Sequence, residues 1–243
     1  MKLNAYAGKT DKGPYLEINE DLFDLDLSKN IFMLIDAFGG AGQGDLCAKK
    51  IVENMKKEYS RINDDPDSTL SFFYAPQYFL EGNALINAAL MTHQLIYNEN
   101  MEKEMGKRAG ASGVFLSLSK NVINILSIGV CRIYHCSLGK IKKICGEDSI
   151  DFTHGENETN MKIPLGAFGL YNYLHFCFRE IKPHPGDYLI LLTDGVYSLL
   201  DKDEINHIIN KNADHLNRAL KEMFDSANSR NNLDNQSGLI LQF

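Results

Sequence analysis

Two hydrophobic periods share the chain. From 45 to about 62 the apolar residues Leu46, Ile51, Val52, Met55 and Tyr59 recur at helical spacing, and Asp45 stands where an N-cap would. DDPDST at 64–69 has the composition of a loop, and the next pattern predicts a long helix over about 83–104 with Ile86, Leu90, Leu95 and Ile96 facing inward. The period then changes. GVFLSLS (113–119), VINILSI (122–128), RIYHC (132–136) and KIKKI (140–144) read as consecutive antiparallel strands joined by short turns. GEDSIDFTHGENETN is polar and reads as a loop or flap, whereas LHFCFREI (174–181) and YLILLTDG (188–195) read as strands, the second with a buried centre. DKDEINHIINKN and HLNRALKEMFDSANSR predict two helices, the first capped by Asp201 with acids in its opening turn. SGLILQF closes the chain as a strand. Strands, paired helices, a strand meander and paired helices again describe a layered α+β domain, with sheets covered by helix pairs, and not alternating βαβ units.

Composition narrows the class. With 243 residues, 44% hydrophobic and 23% charged, the chain can bury a substantial core and fits a single domain over 1–243. Its net charge of −7, with Lys and Arg scattered among acids, argues against nucleic acid or an anionic membrane as partner. No window reaches the roughly 18 apolar residues of a membrane span, and MKLNAYAGKTDKGPY has no signal-peptide core. Five cysteines without a CxxC suit reduced thiols, so a soluble cytoplasmic protein is expected.

The chemistry sits at strand margins. Asp36 ends the apolar run IFMLI and precedes AFGG; Asp194 follows YLILLT; Asp234 lies in LDNQSG, just before the closing strand. NED at 19–21 precedes the strand that leads to Asp36. Taken singly, each Asp is a turn residue. If the strands are neighbours, Asp36, Asp194 and Asp234 converge, and three close carboxylates repel one another or hold protons. A divalent cation removes that conflict, and hard oxygen ligands favour Mg²⁺ or Mn²⁺.

The order TDKG…NED, LIDAFGG, AGASG, SIGVCR, LLTDG and DNQSG resembles the metal-dependent protein Ser/Thr phosphatases of the protein phosphatase 2C (PPM) type, along the full length and at fitting spacing. The resemblance implies a four-layer α-β-β-α sandwich of two antiparallel sheets flanked by helix pairs. It implies a hydrolase acting on phosphoserine or phosphothreonine with a water activated by two metal ions, Mn²⁺ or Mg²⁺, and no phosphoenzyme. On that resemblance Asp36 bridges the ions, and Asp194 and Asp234 complete one ion's shell. Ala37, in place of the usual Gly, offers its carbonyl, while Glu20 contacts the second ion directly or through water with support from Asp21. The implied partner is a phosphorylated protein, such as a kinase or its target, met by a monomer.

The match departs from the family in several places. Leu16 occupies the position of the Arg that clamps the phosphate and cannot make a bidentate charged contact; Lys12, Lys107 and Arg108 are candidate substitutes. Val130 and Ser198 replace two Asp of a third, weaker ion site, which is therefore expected to be absent, and Phe38 replaces a His or Met. Two other readings compete. HCSLGKIK (135–142) is similar to the HCxxGxxR cradle of cysteine phosphatases, although KIKKI alternates like a strand instead of opening a helix. The departures also allow a pseudophosphatase, a module that binds a phosphoprotein or regulator without turnover. The remaining cysteines read as buried apolar filler, and the seven histidines show no metal-ligand spacing.

Overall fold

The computed structural model describes residues 2–65, 68–120, 122–145, 149–154 and 159–243, with 41, 150–154 and 159–162 described at the backbone alone. Along the chain run β1 (Ala5–Asp11), β2 (Leu22–Asp26), β3 (Ile31–Gly39), α1 (Gln43–Asn63), α2 (Leu80–Met101), β4 (Ala109–Leu118), β5 (Ile123–Ile128), β6 (Arg132–Ser137) and β7 (Lys140–Lys143). There follow β8 (Ser149–His154), β9 (Thr159–Pro164), β10 (Cys177–Ile181), β11 (Tyr188–Leu192), the short α3 (Asp194–Tyr197), α4 (Lys202–Lys211), α5 (Leu216–Ser229) and β12 (Gln236–Gln242). Antiparallel pairing gives two five-stranded sheets, ordered β1-β12-β11-β6-β7 and β10-β5-β4-β3-β2, and a separate β8–β9 hairpin.

Side-chain alternation explains the layers. β3 sends Ile31, Met33, Ile35 and Ala37 towards α1 and α2, and Phe32 and Leu34 between the sheets. β11 sends Ile190 and Leu192 towards α3, α4 and α5, and Leu189 and Leu191 between the sheets. Both faces of these strands are covered, which is why IFMLI and YLILL are unbroken apolar runs. Each such side chain taken from water contributes about 1.5–3 kcal/mol, so three stacked cores hold an α-β-β-α sandwich together.

Several boundaries differ from the sequence reading, each for a local reason. α1 opens at Gln43 behind Gly42, whose φ of 72° is left-handed, so Asp45 lies in the first turn and pairs with Lys49 instead of capping. Leu46 is exposed on the outer face of α1, as Leu95 is on α2. α2 begins at Leu80, earlier than 83, because its asparagines face inward to hold the preceding loop. Asn87 Oδ1 accepts from the Phe72 and Phe73 N–H groups at 3.0 and 3.2 Å, and Asn83 Oδ1 accepts from Ala75 N–H at 2.9 Å. Inward-facing asparagines thus extend the helix by a turn that its apolar period does not show.

The expected meander is divided between the sheets. β4 and β5 pair in one and β6 and β7 in the other, and the chain crosses over at Gly129 (φ 73°), where a Cβ would lie 2.3 Å from Ser112 Oγ. The strand expected over 188–195 ends at Leu192, because Asp194 opens α3. The polar segment after β7 is a hairpin whose register sets Ile150 opposite Ile163 and Phe152 opposite Met161, a period-2 pattern within polar surroundings. Positions 146–148 and 155–158 of that segment, and 66–67 of the DDPDST loop, lie outside the described residues. β1 had no sequence signal, since Gly8 interrupts it to admit the Phe23 ring, 2.5 Å from where a Cβ would stand. Asp201 does cap α4, accepting from the Asp203 and Glu204 N–H groups.

Candidate active site

The two sheets bring their acidic strand ends to one end of the sandwich. Asp36 lies late in β3 opposite Ser112 of β4, and the Leu22–Ile35 pairing of β2 with β3 sets Asp21 alongside it. From the other sheet, Asp194 follows β11 and Asp234 precedes β12. The Thr193 N–H donates to the Ser237 carbonyl at 3.0 Å, continuing the β11–β12 pairing up to that end. Asp36, Asp194 and Asp234 therefore do converge, and Asp21 is a fourth member lying beneath them.

Their electrostatics show the crowding. Burial, then the charges of Asp194, Asp21 and Asp234, push the Asp36 carboxyl well above the usual carboxylate range, and Asp36 and Asp194 share a side-chain hydrogen bond. Burial pushes Asp21 up to about 8 against the opposing hydrogen bonds of Ser237 and Thr193. Burial also raises Asp234, partly offset by the Asn235 N–H, which donates to Asp234 Oδ1 at 2.7 Å. Asp21, Asp36 and Asp234 are thus held where bare charge is disfavoured.

A cavity of about 810 Å³ opens over the cluster, with Asp36, Asp194, Asp234, Glu20, Glu17 and Ala37 on its lining. Leu16, Ile18, Phe38, Leu170 and Tyr171 form an apolar wall, with Val130 and Ser112 deeper. Among the described residues, no Lys, Arg or His lines it. Lys12 is outside this lining. Lys107 and Arg108 are engaged elsewhere, with Glu104 at 2.9 Å and the Lys103 carbonyl at 3.3 Å. Ser198 sits at the C-cap of α3 and does not line the cavity.

The supporting contacts come from residues the sequence reading had not singled out. Thr193 Oγ1 donates to Asp21 Oδ2 at 3.0 Å and accepts from the Ser237 N–H at 2.9 Å. Asn235 Nδ2 donates to the Lys12 and Ile18 carbonyls, each at 3.0 Å, while its Oδ1 accepts from the Glu20 N–H at 2.9 Å. Glu20 Oε1 in turn accepts from the Gly44 N–H in the first turn of α1 at 2.9 Å, so a helix N-terminus steadies its charge. Thr193, Ser112 and Asn235 all stand inside the motifs LLTDG, AGASG and DNQSG. A hydroxyl or amide next to an Asp carries no sign of which strand it will meet.

The residues present suit a hard cation. Their donors are carboxylate oxygens, and Ser112 Oγ is buried on the lining with no hydrogen-bond partner among the described residues. As they stand, no group of three or more His, Cys, Asp or Glu side chains among the described residues forms a finished ion cage. Several of the oxygens are occupied by the protein donors just named, and the acids share a cavity and a field instead of one coordination sphere.

The cysteine-phosphatase reading does not survive. Cys136 belongs to β6, and the turn after it, Leu138 (φ 50°) and Gly139 (φ 73°), is a hairpin leading into β7, with no helix N-terminus. The thiol is buried, pushed up by that burial, and lies 3.2 Å from Asn206 Oδ1. It is nowhere on the cavity lining.

No protein-family model and no curated protein matches the sequence. Solved structures do. The PPM Ser-Thr phosphatase MsPP from Mycobacterium smegmatis superposes with a TM-score of 0.77 at 16% identity, covering 100% of both chains. A serine/threonine phosphatase from S. agalactiae gives 0.80 at 17%, covering 98% of both. The catalytic domain of the serine/threonine protein phosphatase PstP, solved with two manganese ions, gives 0.73 at 15%, covering 98% of this chain and 97% of that one. The chain has the fold of these PPM phosphatases.

Proposed function

We propose that the protein is a metal-dependent phosphatase of phosphoserine and phosphothreonine in proteins. The observation that carries this reading is the composition of the cavity: acids delivered by both sheets, and no basic side chain on the described lining. A phosphate monoester entering such a site meets only negative charge unless cations stand between. Divalent ions bound there supply Lewis-acid charge neutralisation and an activated water. Asp36, central in the cluster, would hold such ions together with Asp194 and Asp234, and the Ala37 carbonyl and Glu20 would add further oxygen ligands. Asp21, held by Thr193 beneath them, orients the set without reaching the lining.

The Mn²⁺-bearing relative with this fold supports the choice of Mn²⁺ or Mg²⁺. Val130, on the lining, and Ser198, off it, put no carboxylate at the two positions at which the resemblance implies ligands for a third ion. With Leu16 in place of a cationic clamp, the ions carry the phosphate alone, while Leu16, Ile18 and Phe38 receive the apolar part of a peptide.

Hydrolysis of p-nitrophenyl phosphate by the purified protein tests this. Turnover should require Mn²⁺ or Mg²⁺, stop with a chelator, and fall at least about 100-fold in Asp194→Asn. Phosphoserine and phosphothreonine peptides should then be cleaved under the same conditions. Wild-type protein that folds, binds Mn²⁺ and turns over neither class of substrate would overturn the reading in favour of a binding module.

A further inference from the structure

We propose that Cys145 and Cys177 are a redox-active pair that forms a disulfide under peroxide, clasping the open edges of the two sheets. Cys145 lies two residues beyond β7 and Cys177 opens β10, and these are the outermost strands on one side of their respective sheets. The two residues meet in the core between the sheets, where Cys177 packs against the cluster that contains Cys145. The Cys145 thiol donates to the Cys177 carbonyl oxygen at 4.0 Å, and the Cys177 side chain is close enough to push the Cys145 thiol up. The proposed bond requires the two sulfurs to turn towards each other and close to about 2.05 Å.

The two thiols differ in exposure. Cys145 is buried, with 3% of its surface exposed, whereas Cys177 is partly exposed. The hydrogen bond to Cys177, then burial, hold the Cys145 thiol well above its usual range against the opposing charge of Arg179. Cys177 is therefore the sulfur that meets peroxide. Its thiolate attacks one peroxide oxygen, the O–O bond breaks, and Cys177 becomes a sulfenic acid as hydroxide leaves and takes up the thiol proton as water. The Cys145 sulfur then displaces the sulfenic oxygen, which departs as a second water with the Cys145 proton. Two thiols and one hydrogen peroxide give one disulfide and two waters.

The bond would close a loop with consequences beyond the edge itself. Between the two cysteines run Ile163, Pro164, Leu170 and Tyr171, all on the cavity lining. Within this stretch Gly169 is already tied to α2, where His93 Nδ1 accepts from the Gly169 N–H at 3.2 Å and Asn100 Nδ2 donates to the Gly169 carbonyl at 2.8 Å. Oxidation adds a covalent tie at the ends, so the cavity wall becomes anchored at Gly169 and at its base. The remaining thiols stand apart from this pair in the fold: Cys47 on α1, Cys131 beside the acids and Cys136 against Asn206.

The test uses the full chain, reduced, freed of reductant and treated with hydrogen peroxide. Digestion without reductant should yield peptides containing 145 and 177 joined and two hydrogen atoms lighter, and unfolded protein should show the loss of two of its five thiols. The melting temperature should rise by about 5 °C, from loop closure in the unfolded chain, and return with dithiothreitol. Cys177→Ser should neither link nor shift, and Cys145→Ser should accumulate a dimedone-reactive sulfenic acid at Cys177. The wild-type digest decides the matter without relying on the folding of either variant. Cys145 and Cys177 left unlinked, linked to other cysteines or linked between molecules would overturn the proposal. An intramolecular link with an unchanged melting temperature would overturn the clasp.

Discussion

Asn235 binds three backbone groups of the segment that carries Glu20: the Lys12 and Ile18 carbonyls and the Glu20 N–H. One amide, 6% exposed, therefore sets the height of that segment over the acids. Asn235→Ala should cost about 2 kcal/mol in urea unfolding, because the buried partners lose their hydrogen bonds. It should also lower metal-dependent turnover more than it lowers the occupancy of Mn²⁺, since Asp36, Asp194 and Asp234 remain. Asn235→Asp should not rescue it, because a carboxylate cannot donate to the two carbonyls; equal turnover in wild type and Asn235→Ala would contradict this role. The contrast with Asp36, Asp194 and Asp234 shows what a sequence discloses at this scale. A charge terminating an apolar run is conspicuous, because burial and ionisation conflict there. Asn235 and Thr193 carry no such conflict, and the acidic residues that they hold, Glu20 and Asp21, lie 215 and 172 positions away along the chain.

At the scale of elements, strands covered on both faces were the legible part: IFMLI, YLILL and GLILQ each read as apolar runs, and each is a central strand. The sheet to which a strand belongs was not legible. β5 and β6 are neighbours in sequence and partners in no sheet, because Gly129 turns the chain through a point too tight for a side chain. Where the chain enters β11, Asp187 does the joining. It is buried, accepts from the His184 N–H at 2.8 Å, and meets His135 Nε2 of β6 at 2.8 Å. Burial pushes its carboxyl up, but hydrogen bonds from His184, Ser137 and His135 outweigh that and hold it below the usual range. A depressed carboxylate contributes stability above its unfolded pKa, near 3.8, and loses it as pH falls through the lower folded value. Asp187→Asn should therefore destabilise the protein by about 2 kcal/mol at pH 7. The gap to wild type in urea midpoint should narrow as the pH drops below about 4; a gap constant from pH 7 to pH 3 would rule out the charged form as its source.

For the whole molecule, the placement of the acids makes stability and function oppose each other. Both sheets end in carboxylates at one place, and without cations Asp194 and Asp234 raise the cost of ionising Asp21 and, together with Asp21, that of ionising Asp36. A divalent ion that binds the folded cavity and not the unfolded chain stabilises by RT ln(1 + [L]/Kd), about 2.7 kcal/mol at one hundred times Kd. For a chain of this length that corresponds to a melting-temperature rise of about 5–10 °C with Mn²⁺, reversed by a chelator. Asp36→Asn separates the two sides of the balance. It removes the most crowded charge, so the metal-free variant should melt higher than metal-free wild type. It also removes the central proposed ligand, so the rise with Mn²⁺ should largely vanish. An ordinary structural aspartate would give the opposite pair of signs: a lower melting temperature without metal, and an undiminished shift with it. Scanning calorimetry of the two proteins, each with Mn²⁺ and with chelator, tells these apart without relying on turnover, because a site built to hold cations must be a burden to the fold in their absence.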